Sequence, residues 1–230
     1  MNRRGTRVVG ALAVAVVLAG GAAACGGPSS NGEAAKSPSQ ILRDAQAATA
    51  SASSVRVSGT GTFGGKPISL DIVSSATGGG GTMSVNGAKL DVVAGKGNVY
   101  LKAAASSWTA LGAPASAGSI LAGKWWYAPA TNSNFTQLAR LLSVAALVRQ
   151  LQPTGTITKG STTTVDGQSV IPLRDSTGAT LYVDATGKPY IQSISAPRNQ
   201  PGQIRFSQYG TARPPAIPNG ATSLSALGGG

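Results

Sequence analysis

The side chains that most often carry chemistry are scarce here: one cysteine, Cys25, no histidine, and seven carboxylates in 230 residues. Without an imidazole there is no Ser–His or Cys–His pair and no imidazole-ligated metal site. Six of the carboxylates are aspartates (Asp44, Asp71, Asp91, Asp166, Asp175 and Asp184), strewn singly along the chain. Nothing in their spacing marks a pair for general acid–base work. There is no G-x-S-x-G elbow, no S-x-x-K and no phosphate-cradling P-loop. Gly59-Thr60-Gly61-Thr62-Phe63-Gly64 does fit G-x-G-x-x-G. A dinucleotide fingerprint follows a strand and opens a helix, whereas this one lies inside an alternating run that enters a hairpin. It reads instead as a strand with bare positions at Gly59 and Gly61, where the sheet bends or a neighbour comes close. The chain is expected to be no enzyme and to need no cofactor or metal.

The single thiol has a more telling setting. Arg3, Arg4 and Arg7 precede an uninterrupted apolar run, Val8 to Ala19, followed by small residues. That is the order of a secretory signal peptide, and the run is short for a membrane span, which needs about 20 apolar residues. Ala22-Ala23-Ala24-Cys25 then resembles the bacterial lipobox, with Ala22 where Leu is usual. The resemblance implies cleavage after Ala24 and a thioether-linked diacylglycerol on Cys25. The plain alternative is an ordinary A-x-A cleavage that leaves a free thiol. Residues 1–24 are thus a leader and 25–36 a lipidated tether, because GGPSSNGEAAK holds too little apolar area to fold. The mature protein would be exported and held on the outer face of the cell membrane, since two acyl chains anchor where one binds marginally.

Charge bounds the partners. The chain carries 19 basic and 7 acidic residues, and the excess stays positive when the leader leaves. Its cations (Arg43, Lys66, Lys89, Lys102, Lys124, Arg140, Arg174, Lys188, Arg205) are scattered. A nucleic-acid reader shows a clustered stripe with interleaved aromatics, so no nucleic-acid partner is expected. A diffuse positive surface suits anionic headgroups.

The elements that must position any site follow from the periods. Ser37 caps a helix with Pro38 in its first turn and Gln40 three residues after the cap. Ile41, Leu42, Ala45, Ala48 and Ala52 recur at helical spacing along it. From Val55 the period changes to two, with Val55, Val57 and Phe63 on one face, then Ile68, Leu70 and Ile72. Asn86-Gly87 and Asp166-Gly167 are type I′ hairpin signals. About ten or eleven short strands joined by tight turns predict an antiparallel meander. Two segments interrupt it. Residues 103–130 hold Trp108, Trp125 and Trp126, and residues 134–151 (NFTQLARLLSVAALVRQL) form the strongest helix. Its core face is Phe135, Leu138, Leu141, Leu142, Ala145 and Val148; Val144, Leu147 and Leu151 fall on the other side. A helix apolar nearly all round is buried on both sides or covers something apolar. Residues 37–213 form one domain, and 214–230 are expected to be loose.

The fold class is therefore α+β: a curved antiparallel sheet, a half-barrel, with helices covering its open face. If sheet and helix stand apart, the apolar residues between them line a cavity suited to acyl chains, each buried CH₂ giving about 0.8 kcal/mol.

The order of pieces, from "SPSQILRDAQAATASASSVRVSGT" through "LAGKWWYAP" to "LYVDATGKPY" and "RFSQYG", resembles the actinobacterial LppX/LprG-type lipoproteins of LolA-like fold over Ser37 to Pro218. The resemblance implies a hollow that holds lipid or glycolipid acyl chains and moves them within the envelope. On that analogy the lining draws on Val57, Phe63, Leu70, Ile72, Val99, Leu101, Leu138, Leu142 and Ala145, with Trp125 and Trp126 at the mouth. Adjacent strand residues point opposite ways, so one of the two tryptophans belongs to the core. The competing reading is a non-catalytic envelope protein with a filled core that serves as a protein-interaction module.

Overall fold

The computed structural model describes residues 29–63, 65–197 and 202–227. Cys25 and the leader lie outside the described residues.

The first helix forms as its cap dictates. In α1 (Pro38–Ala50), Ser37 Oγ accepts the Gln40 N–H and Gln40 Oε1 accepts the Ser37 N–H, a complete capping box. The alternating runs then build β1 (Ser54–Phe63), β2 (Lys66–Ser75), β3 (Gly78–Val85), β4 (Ala88–Gly95) and β5 (Asn98–Ala103). Asn86 and Gly87 both take positive φ, 48° and 83°, as a type I′ turn requires. After two short helices, α2 (Ala105–Ala110) and α3 (Ala115–Leu121), the chain returns as β6 (Trp126–Pro129). Helices α4 (Thr136–Leu141) and α5 (Val144–Gln150) follow. Strands β7 (Thr158–Lys159), β8 (Thr163–Val165), β9 (Gln168–Arg174), β10 (Thr180–Asp184), β11 (Ile191–Ser195) and β12 (Gln203–Ser207) complete the meander, and β13 (Thr222–Ser223) closes the described chain.

Among the described residues all thirteen strands belong to one unclosed sheet, ordered β13-β6-β5-β4-β3-β2-β1-β12-β11-β10-β9-β7, with β8 also on β9. Every pair is antiparallel except β13 on β6. This is the α+β half-barrel read from the sequence, with the strand count raised by the short β7, β8 and β13. The G-x-G-x-x-G run lies inside β1, and a Cβ at Gly59 (φ 140°) would stand 1.9 Å from the Gln203 carbonyl oxygen of β12. The register gives the sheet two ends. The β1–β2, β3–β4 and β9–β10 turns share the upper one; the β2–β3, β4–β5 and β10–β11 turns share the lower.

The strong helix is not continuous. Ser143 is extended (φ −111°, ψ 121°) and bridges to Ser75 of β2. Ser75 N–H donates to the Leu142 carbonyl at 3.4 Å, and Ser74 Oγ to the Leu141 carbonyl at 2.6 Å. The sheet thus satisfies carbonyls that the end of α4 leaves free. The break resets the helical phase, so Val144, Leu147 and Val148 turn inward. Ala145, placed on the core face by its spacing, is exposed. Close approach of this junction needs Gly79, where a Cβ would lie 2.6 Å from the Leu142 carbonyl oxygen and 2.2 Å from that of Val73.

Both ends of the domain extend further than the sequence suggests. The expected tether is docked from Ser30 onward. Ser30 bridges to Thr186, Asn31 N–H donates to Ala185 O at 3.0 Å, and Asn31 Nδ2 donates to Asp184 O at 2.8 Å. Lys159 Nζ reaches the Ala34 and Lys36 carbonyls at 2.7 and 2.8 Å. Glu33 is buried, with one carboxylate oxygen on Lys36 Nζ at 2.7 Å. Nor is the tail loose. Pro215 packs against Gly80, Ile217 against Gly95, and β13 adds to the edge at β6.

Candidate functional site

A cavity of about 630 Å³ lies against the upper half of the sheet, between it and α2, α3 and α4. Its floor follows from period-two alternation. Ile68 and Leu70 of β2, Met83 and Val85 of β3, Leu90 of β4 and Leu101 of β5 all present the same face. Leu70, Met83 and Leu90 stand directly opposite one another across three strands, and Ile68 opposite Val85. The roof is Trp108 of α2, Leu111 at its C-cap, Leu121 of α3, Phe135, and Leu138 and Leu141 of α4. Leu224, just past β13, closes the β6 side. The polar members of the wall are Asn134 and Gln137, both exposed. A second, smaller hollow of about 180 Å³ lies at the same end of the sheet, near Leu42, Leu151, Ile157, Leu173 and Leu181.

Between and below these hollows the interior is filled. Val57, Ile72, Val99 and Leu142 are fully buried in one apolar cluster with Ile41, Val92 and Phe206. Leu142 is held there by the backbone bonds that its junction makes to β2. So the structure brings Leu70, Leu101 and Leu138 to the cavity wall and puts Val57, Ile72, Val99 and Leu142 in closed core. Phe63 ends β1, and its side chain lies outside the described residues.

Neither tryptophan of the pair lines the cavity. Trp126 is buried, its Nε1 donating to the Leu121 carbonyl at 3.1 Å. Trp125 is half-buried, its ring 5.9 Å from Lys102 Nζ. One of the two is core, as strand alternation requires. The tryptophan that borders the cavity is Trp108, whose buried Nε1 has no hydrogen-bond partner among the described residues. Such groups are normally bonded, so its indole is the least satisfied buried donor beside the cavity. Sequence periodicity missed Trp108 because it stands on a six-residue helix, too short to show a face. Leu224 was missed for another reason: it sits in a Ser- and Gly-rich tail without periodic apolar signal.

Titrating groups lie away from the cavity. Asp184, at the lower end of β10, is pushed up to about 6 by burial. Near it Tyr209 donates its hydroxyl to the Ile191 carbonyl and stacks on Tyr190 at 4.0 Å. Burial raises the Tyr209 phenol beyond its ordinary range. Arg56 and Asp71 form an exposed pair at 2.7 Å, in which the Arg56 hydrogen bond lowers the carboxyl. Among the described residues no three His, Cys, Asp or Glu side chains gather as a metal site.

No protein-family model and no curated protein matches the sequence. Solved structures do match. LprF from Mycobacterium bovis aligns over 80% of this chain and 97% of its own, with 17% identity and a TM-score of 0.52. The fold is similar to that of LprF. The Mycobacterium tuberculosis lipoprotein LppX aligns over 77% of this chain and 98% of its own, at 16% identity and a TM-score of 0.48. The LprF match meets the resemblance read from the sequence at the level of the fold.

Proposed function

We propose that this protein is a membrane-tethered lipoprotein that binds lipid acyl chains in its upper cavity and carries or presents lipids in the cell envelope. The observation that carries the reading is the apolar wall around about 630 Å³. Ligand pockets run from about 300 to 1,000 Å³, so the space is of ligand size. Filled with liquid water it would hold about twenty molecules, at about 30 Å³ each, against a wall with few groups to bond them. Acyl chains match that wall. Eight buried methylenes supply about 6 kcal/mol before ordering costs, a useful affinity. Asn134 and Gln137 offer donors and acceptors for the polar part of a lipid left in water. Cys25, acylated, would hold the carrier on the outer face of the membrane.

Native mass spectrometry of the mature chain with Cys25→Ser, purified from an envelope-containing host, tests this reading. Adducts of lipid mass that extract into organic solvent are the expected result. A bare mass, persisting after incubation with phospholipid and glycolipid vesicles, would overturn it in favour of a protein-interaction module.

A further inference from the structure

The docked N-terminal segment bears on how the protein stands at its membrane. The chain is pinned at Ser30, which bridges to Thr186 in the β10–β11 turn at the lower end of the sheet. Asn31 adds bonds to Ala185 and Asp184, and Lys159 clamps the segment further on at Ala34 and Lys36. Only five residue steps separate Cys25 from Ser30, and five steps span at most about 18 Å whatever path they take. The cavity floor, at Ile68, Val85 and Leu90, lies in the other half of the sheet. Along β2 alone, Lys66 at the upper turn and Ala76 just past the lower end are ten steps apart, which is about 33 Å of strand.

Resting on the reading that Cys25 is lipidated, we propose that the lower end of the sheet is a bilayer-docking surface. The short leash holds it against the membrane that carries the anchor, and the cavity floor stands in the half of the sheet farther from that membrane. The surface has the chemistry of an interface. Lys96 in the β4–β5 turn, Lys188 in the β10–β11 turn and Arg213 are exposed there. Lys188 Nζ lies 5.9 Å from the Tyr190 ring, which is stacked on Tyr209. Cations and amphipathic rings suit the headgroup region of an anionic bilayer. Charge alone does not choose this end, since Lys66, Lys89, Lys124 and Arg174 are exposed at the upper one. The leash chooses it.

The test uses the full lipidated chain in vesicles of phosphatidylcholine and phosphatidylglycerol. With Cys25 acylated, an introduced cysteine is the sole free thiol. Ala76→Cys marks the lower end and Lys66→Cys the upper, each carrying a fluorophore, with an energy-accepting headgroup-labelled lipid in the bilayer. The expected result is transfer several-fold stronger from position 76 than from position 66. Inserting twelve Gly and Ser residues after Gly27 should narrow that difference, and so should releasing the segment by Asn31→Ala with Lys159→Ala. Equal transfer from the two positions of the unmodified leash, or stronger transfer from position 66, would overturn the stance and leave the cavity reading intact. An intact mass without the diacylglyceryl group would overturn the stance and the anchor together, while lipid adducts in the Cys25→Ser chain would still report on the cavity.

Discussion

Leu138 and Leu142 look alike in the sequence, one helical turn apart on the same apolar face, yet they do different work. Leu142 is fully buried and tied to β2, so Leu142→Ala should cost about 3 kcal/mol, the transfer and cavity cost of a buried leucine. Leu138 is half-buried in the cavity wall, so Leu138→Ala should cost under about 1 kcal/mol while changing acyl-chain affinity. Urea unfolding of the two variants checks the contrast; equal losses would place both in the core. Asp184 gives a second residue-scale prediction. Its folded pKa of about 6 stands above that of an unfolded aspartate, near 3.9. The native state therefore holds its proton more tightly, and stability present below pH 4 is lost as pH rises through 6. Since the group is only partly buried, solvent screening limits the loss to about 1 kcal/mol. Asp184→Asn should flatten the stability profile between pH 4 and 6, and an unchanged profile would show that this carboxyl is not the source.

At the scale of elements, two close approaches decide the shape of the site. A methyl at Gly79 would meet the carbonyl oxygens of Val73 and Leu142, both backbone atoms that have no room to swing away. Gly79→Ala should therefore destabilise by about 2 kcal/mol or more and loosen the α4–α5 junction. Thermal unfolding beside Gly61→Ala, where a Cβ meets nothing within 4 Å, separates this clash from a general glycine effect. The capping box of α1, the Asn-Gly and Asp-Gly hairpins and the alternating strands were legible in the sequence because each is a local signal. What the sequence hid was non-local. The break at Ser143 is made by Ser74 and Ser75, about seventy residues away in the chain. Continuous periodicity across it put Ala145 on the wrong face and drew Leu142 into the lining. The same holds for Ser30–Lys36 and the tail, whose polar, Gly-rich composition reads as loose until the turns and glycines that receive them are in place.

At the scale of the molecule, an apolar hollow lies against the upper half of the half-barrel, over a filled core. The tail belongs to the hollow, because Leu224 reaches its wall only after Pro215, Ile217 and β13 have carried the chain across the sheet. Ending the chain after Arg213 should lower the midpoint of thermal unfolding and speed release of bound acyl chains, which stopped-flow displacement of a fluorescent fatty acid would read. The central claim, that the upper cavity takes acyl chains, is tested most directly by equilibrium titration of the mature Cys25→Ser chain with a dansyl-labelled fatty acid. The same titration is run on Met83→Trp, which fills the large hollow, and on Ile157→Trp, which fills the small one. The expected result is saturable binding that Met83→Trp abolishes and Ile157→Trp leaves in place. No binding in the parent chain, or binding that Met83→Trp does not reduce, would contradict it.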